Sequence, residues 1–123
     1  MGRTIETIKV QNAYDIYDAK QERIPESGIR TIEVEAIVDT GATYVCLSRK
    51  DIEKLGLPFH KNVEIKTANG KASRRTYEGA KIHLNDRSFI MEVMENDNDT
   101  PALIGYLLLE ALDLVVDPKT QKA

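Results

Sequence analysis

At 123 residues the chain is long enough for one domain with a modest core, and residues 1–123 are read as a single unit. Charged residues make up 30% and hydrophobic ones 41%, as in an ordinary globular chain, and a net charge of −3 gives no general attraction to nucleic acid or anionic membrane. No apolar run reaches the length of a membrane span, residues 4–10 alternate where a leader peptide would be apolar, and the sole cysteine, Cys46, excludes an internal disulfide; the expectation is a cytoplasmic protein with no membrane or nucleic-acid partner.

The alternation in residues 4–10 predicts a strand. Residues 11–28 are polar and rich in turn formers, including Pro25, Ser27 and Gly28, and read as a loop or irregular hairpin. In residues 31–38, Ile32, Val34, Ala36 and Val38 recur at period two, the mark of a strand with one buried face. That strand runs directly into Asp39-Thr40-Gly41-Ala42, which places a carboxylate at its tip beside a glycine that lets backbone approach closely. Residues 44–47 predict another strand. Ser48 then caps a short helix, with Asp51 in the place of the usual Glu of a capping box and Gly56 at its close.

Residues 63–67 and 71–77 flank Ala68-Asn69-Gly70, a hairpin signal because Asn-Gly tolerates positive φ at both central turn positions. Residues 81–84 and 88–94 flank Asn85-Asp86, a second hairpin, and residues 95–100 form an acidic loop. Ala102-Leu103-Ile104-Gly105 is a short apolar strand ending in glycine, followed by a helix over 106–112 and a candidate strand, Leu114-Val115-Val116. Many short strands with frequent turns imply a mostly-β barrel or sandwich with one or two short helices.

Asp39-Thr40-Gly41-Ala42, with the later Leu103-Ile104-Gly105 before a helix, resembles the retropepsins, the retroviral-type aspartic proteases. The run Val38-Asp39-Thr40-Gly41-Ala42-Thr43-Tyr44-Val45-Cys46-Leu47-Ser48 and then Thr67-Ala68-Asn69-Gly70 extend the likeness to the single-domain branch found in cellular, especially bacterial, proteins. The resemblance implies an all-β acid-protease barrel and an aspartic endopeptidase without cofactor or metal, cutting an extended peptide or protein. Asp39 would be its catalytic aspartate. Thr40 would reach across a two-fold axis, Gly41 would bring backbone N–H to the carboxylate, and Ala42 completes the supporting loop. The hairpin with Ala68, Asn69 and Gly70 at its tip would be a flap over substrate, and Leu103, Ile104 and Gly105 would pack behind the aspartate turn.

Carboxylate-driven peptide hydrolysis needs two carboxylates sharing a proton, and this chain carries one Asp-Thr-Gly, so a homodimer is expected to complete the site. Ala42 lacks the hydroxyl with which a serine would hold the ionised carboxylate, which favours activity extending toward neutral pH. Ile37, Val45, Ile65, Ala68 and Ile104 are candidate pocket residues. Arg74 and Arg75, just past the flap tip, are either solvated or select acidic substrates. Cys46 reads as a buried thiol, His60 and His83 have no triad context, and Glu95, Asp97 and Asp99 do not complete a calcium loop. The alternative function is an inactive retropepsin-fold module for dimerisation or peptide binding.

Overall fold

A computed structural model describes residues 4–112, so the candidate strand Leu114-Val115-Val116 lies outside the described residues. Period-two alternation builds the barrel. In β1 (Ile5–Asn12) it turns Ile8, Val10 and Asn12 inward, and in β2 (Thr31–Val38) it turns Ile32, Val34, Ala36 and Val38 to the same interior. The two pair antiparallel, Ile8 opposite Val34 and Val10 opposite Ile32. The sheet continues through β7 (Ala102–Ile104), β3 (Val45–Ser48), β6 (Arg87–Asn96) and β5 (Gly70–Leu84), and β5 returns to β1 with Ile82 opposite Val10. The six strands thereby close a barrel, while β4 (Phe59–Thr67) pairs only with β5. This is the all-β retropepsin-like architecture expected from the sequence.

Val45, Leu47, Ile82, Leu84, Val93 and Ile104 fill the interior with essentially no exposure. Burial of each such side chain is worth about 1.5–3 kcal/mol, so the closed core carries most of the stability. Helix α2 (Arg49–Leu55) seals one end with Ile52 and Leu55; Ser48 accepts the Asp51 N–H at 3.1 Å, and Gly56 ends the helix at φ 63°. Helix α3 (Tyr106–Ala111) adds Leu108 and Leu109.

Three expectations need correction. Residues 11–28 are not a loop throughout: they contain helix α1 (Ala13–Lys20) and a 3-10 turn (Glu26–Gly28). Among the residues of α1 only Asp15 is buried, so the helix carries almost no apolar periodicity and is held by polar contacts instead. Asn12 sits at an inward β1 position, where its Oδ1 accepts the N–H groups of Tyr14 (2.9 Å) and Asp15 (3.1 Å). Its Nδ2 donates to the Leu55 carbonyl at 2.8 Å, tying α1 to α2. Secondly, residues 71–77 and 81–84 belong to one strand, β5; the register against β6 shifts between Tyr77 and Ala80, and this irregularity lets one end pair in the barrel while the other carries the β4 hairpin. Thirdly, the two-residue turn of that hairpin is Ala68-Asn69, because Thr67 pairs with Gly70, and it is Gly70 that takes positive φ (115°).

Asp15 also accepts from Arg30 through Nε (2.8 Å), Nη2 (3.0 Å) and the backbone N–H (3.0 Å), which holds its carboxyl below the usual 3.8 against the opposing effect of burial. A carboxyl lowered in the folded state stabilises the fold above its unfolded value, and that contribution is lost as pH falls through the folded value. Asp15→Asn should therefore flatten the loss of stability as pH falls below the usual carboxylate value of 3.8, measured by urea unfolding from neutral pH downward. Asn12→Ala, which removes a cap and strands the Leu55 carbonyl, should cost about 2–3 kcal/mol at neutral pH in the same assay.

Candidate active site

Strand β2 ends at Val38, and the chain turns sharply through Asp39-Thr40-Gly41-Ala42. The Ala42 N–H donates to the Asp39 carbonyl (3.0 Å), closing the turn, and the Gly41 N–H donates to Asp39 Oδ1 (3.0 Å), fixing the side chain. Asp39 and Thr40 are exposed in the single chain. Behind them the backbone is clasped by the β7–α3 junction. The Asp39 N–H donates to the Ile104 carbonyl (3.0 Å), while the N–H groups of Tyr106 and Leu107 donate to the carbonyls of Ala42 (3.0 Å) and Thr43 (3.3 Å). The clasp requires glycine at position 105: a Cβ there would collide with the Tyr44 carbonyl oxygen and stand 2.6 Å from the Thr43 carbonyl carbon. Leu103, Ile104 and Gly105 thus lie directly behind the aspartate turn.

Two cavities flank that turn and share Leu103. The larger, about 630 Å³, is lined by Gly41, Ala42, Thr43, Tyr44, Cys46, Glu64, Ile65, Lys66, Met94, Asn96 and Leu103. The smaller, about 380 Å³, is lined by Ile37, Val38, Asp39, Pro101 and Leu103. Strand parity separates core from cleft in β3 and β7. Val45 and Ile104 point into the barrel core, so these two expected pocket residues are packing residues, whereas their neighbours Cys46 and Leu103, register partners across β3 and β7, face the cleft. Ile37 and Ile65 line the two cavities as expected; Ala68 is exposed at the hairpin tip.

The β4–β5 hairpin contributes Glu64, Ile65 and Lys66 to the larger cavity, so it borders the same cleft as the Asp39 turn. Tyr44, Met94 and Asn96 also line the cleft, although the sequence reading did not single them out. The parity of β3 against β6 could have found them: Cys46 pairs with Met94, and Asn96 follows two residues on. Burial, reinforced by the charge of Asp39, pushes the Cys46 thiol up to about 11, which keeps it protonated. Among the described residues no His, Cys, Asp or Glu side chains cluster as a metal site, and no helix is long and apolar enough to cross a membrane.

Residues 27–111 match the family described as "gag-polyprotein putative aspartyl protease". No curated protein matches the chain. The matched span contains the aspartate turn, the β4–β5 hairpin and the β7–α3 clasp.

Gly105→Ala should destabilise the fold by about 3 kcal/mol or more, since backbone would have to yield to backbone. Gly41→Ala meets only the Asp39 carboxylate, at 3.3 Å, and should cost about 1 kcal/mol or less. Urea midpoints of the two variants measure the difference.

Proposed function

The chain belongs to the retropepsin-like aspartyl protease family, and from that premise we propose that it is an aspartic endopeptidase working as a homodimer on extended peptides. The observation that carries this reading is the placement of Asp39, exposed at a braced turn between two cavities that share Leu103 as a common wall. An extended peptide laid along this cleft alternates its side chains, and the cavities supply adjoining space for them.

In the proposed mechanism two copies of Asp39 meet about a two-fold axis and share one proton. The ionised carboxylate takes a proton from a water as that water attacks the scissile carbonyl carbon. The protonated partner donates to the carbonyl oxygen, giving a tetrahedral diol. Proton return to the amine nitrogen then breaks the C–N bond. The Gly41 N–H holds Asp39 Oδ1 in place throughout. In this mechanism Thr40, which is exposed beside Asp39, bonds the matching loop of the second copy. The β4–β5 hairpin acts as the flap, closing over substrate with Ala68, Asn69 and Gly70 at its tip and excluding water from the dyad.

Asp39→Asn should lower peptide cleavage by about a thousandfold or more without unfolding the chain. Wild-type cleavage per chain should rise with dimer fraction, followed by sedimentation over the same concentrations, and should extend toward neutral pH because Ala42 offers no hydroxyl at the aspartate turn. A stable dimer that cleaves nothing between about pH 3 and 8 would instead identify a peptide-binding module.

A further inference from the structure

Strand register places one arginine on the face of the β4–β5 hairpin that borders the cleft. In-register partners share a face of a sheet, and alternate residues of a strand return to it. Thr76 pairs with Met94, and Met94 with Cys46, so these three share the face turned away from the barrel core. Arg74, two residues before Thr76, lies on that face, and its partner across the hairpin is Val63, two residues before the cavity-lining Ile65. Arg74 is partly buried there.

Arg75 does the opposite. It lies on the other face of the hairpin with its guanidinium over the Phe59 ring, 5.4 Å from the centroid. The Arg-Arg pair is therefore split by strand parity, one side chain toward the cleft and the other toward an aromatic ring.

Arg74 has no carboxylate among the described residues at ion-pair distance, and its guanidinium donates only to the adjacent Ser73 carbonyl, at 3.3 Å. Glu64 and Lys66, which line the larger cavity, offset each other in charge, and Arg74 adds a positive charge beside that cleft as Asp39 adds a negative one. Its charge reaches the cavity floor: it opposes the upward push that burial and Asp39 exert on the Cys46 thiol. A partly buried guanidinium on the cleft side of the hairpin, with no ion-pair partner among the described residues, is completed most favourably by a carboxylate, which can accept two parallel hydrogen bonds from it.

We propose that Arg74 is a specificity-determining residue that selects peptides carrying a carboxylate close to the scissile bond. This rests on the proteolytic reading above and names a substrate class for it. The carboxylate comes either from an Asp or Glu side chain or from a peptide C-terminus. Arg74 binds it without taking part in bond cleavage.

The test uses the full chain and matched peptides that differ by Glu or Gln at each position around the cleaved bond, each with a free or an amidated C-terminus. Wild type should favour the Glu peptide at one position by about tenfold or more in kcat/KM, with the ratio shrinking as salt rises. Arg74→Gln should bring that ratio close to one, Arg74→Lys should restore part of it, and Arg75→Gln should leave it as in wild type. A preference abolished by amidation, and not by Glu→Gln exchange, assigns the carboxylate to the C-terminus. A wild-type ratio near one for both sources, or a ratio that survives Arg74→Gln, overturns the proposal. If no peptide is cleaved, the proteolytic reading fails by itself. Anisotropy titration of the same labelled pairs against Asp39→Asn, with and without Arg74→Gln, still decides whether Arg74 selects a carboxylate.

Discussion

The close pass of backbone at Gly105 against Thr43 and Tyr44 is the constraint on which the cleft depends. Three backbone hydrogen bonds, from the N–H groups of Asp39, Tyr106 and Leu107, lock the aspartate turn onto the β7–α3 junction. They form only because nothing larger than hydrogen projects from residue 105 into that contact. Side chains have rotamers with which to relax, but two backbones in contact do not, so the position of Asp39 is set by the most rigid material in the molecule.

Parity distributes the rest. In β3, β6 and β7, adjacent residues serve opposite purposes: Val45, Leu47, Val93 and Ile104 fill the barrel, while Cys46, Met94 and Leu103 floor the cleft. A strand in the middle of a sheet that is buried on both faces is apolar throughout, and β3, flanked by β6 and β7, is accordingly buried along three consecutive residues. The register shift in β5 gives the same strand two roles. Its C-terminal part closes the barrel against β1, and its N-terminal part leaves the barrel with β4 and borders the cleft. The barrel and the border of the cleft are thereby assigned to different lengths of one strand.

The N-terminal segment holds the closed barrel by polar means. Asn12 occupies what the alternation of β1 makes a core position, and all of its side-chain contacts are satisfied by the start of α1 and the end of α2. Asp15 and Arg30 join α1 to the approach of β2. A buried amide with its partners in place is directional where an apolar side chain is not, so it fixes how the two helices meet the barrel as well as how tightly.

Local chemistry wrote much of this plainly in the chain. The inward face of β2, the Ser48 cap and Gly56 stop of α2, the hairpin at Asn85-Asp86 and the strand–glycine–helix sequence around Leu103-Ile104-Gly105 each depend on residues within a few positions of one another, and Asp39-Thr40-Gly41-Ala42 stood out for the same reason. Helix α1 was hidden because its anchors are polar and its partners, Leu55 and Arg30, are distant in sequence. The Ala68-Asn69 turn was displaced by one residue because pairing of Thr67 with Gly70, and not the local preference of Asn-Gly, fixed the register. Which of Val45 and Cys46 lines the cleft, and which of Arg74 and Arg75 faces it, was decided only in the tertiary structure. Parity alternates the two members of each pair but does not say which side is the core, and that choice is made by the strands against which they pack.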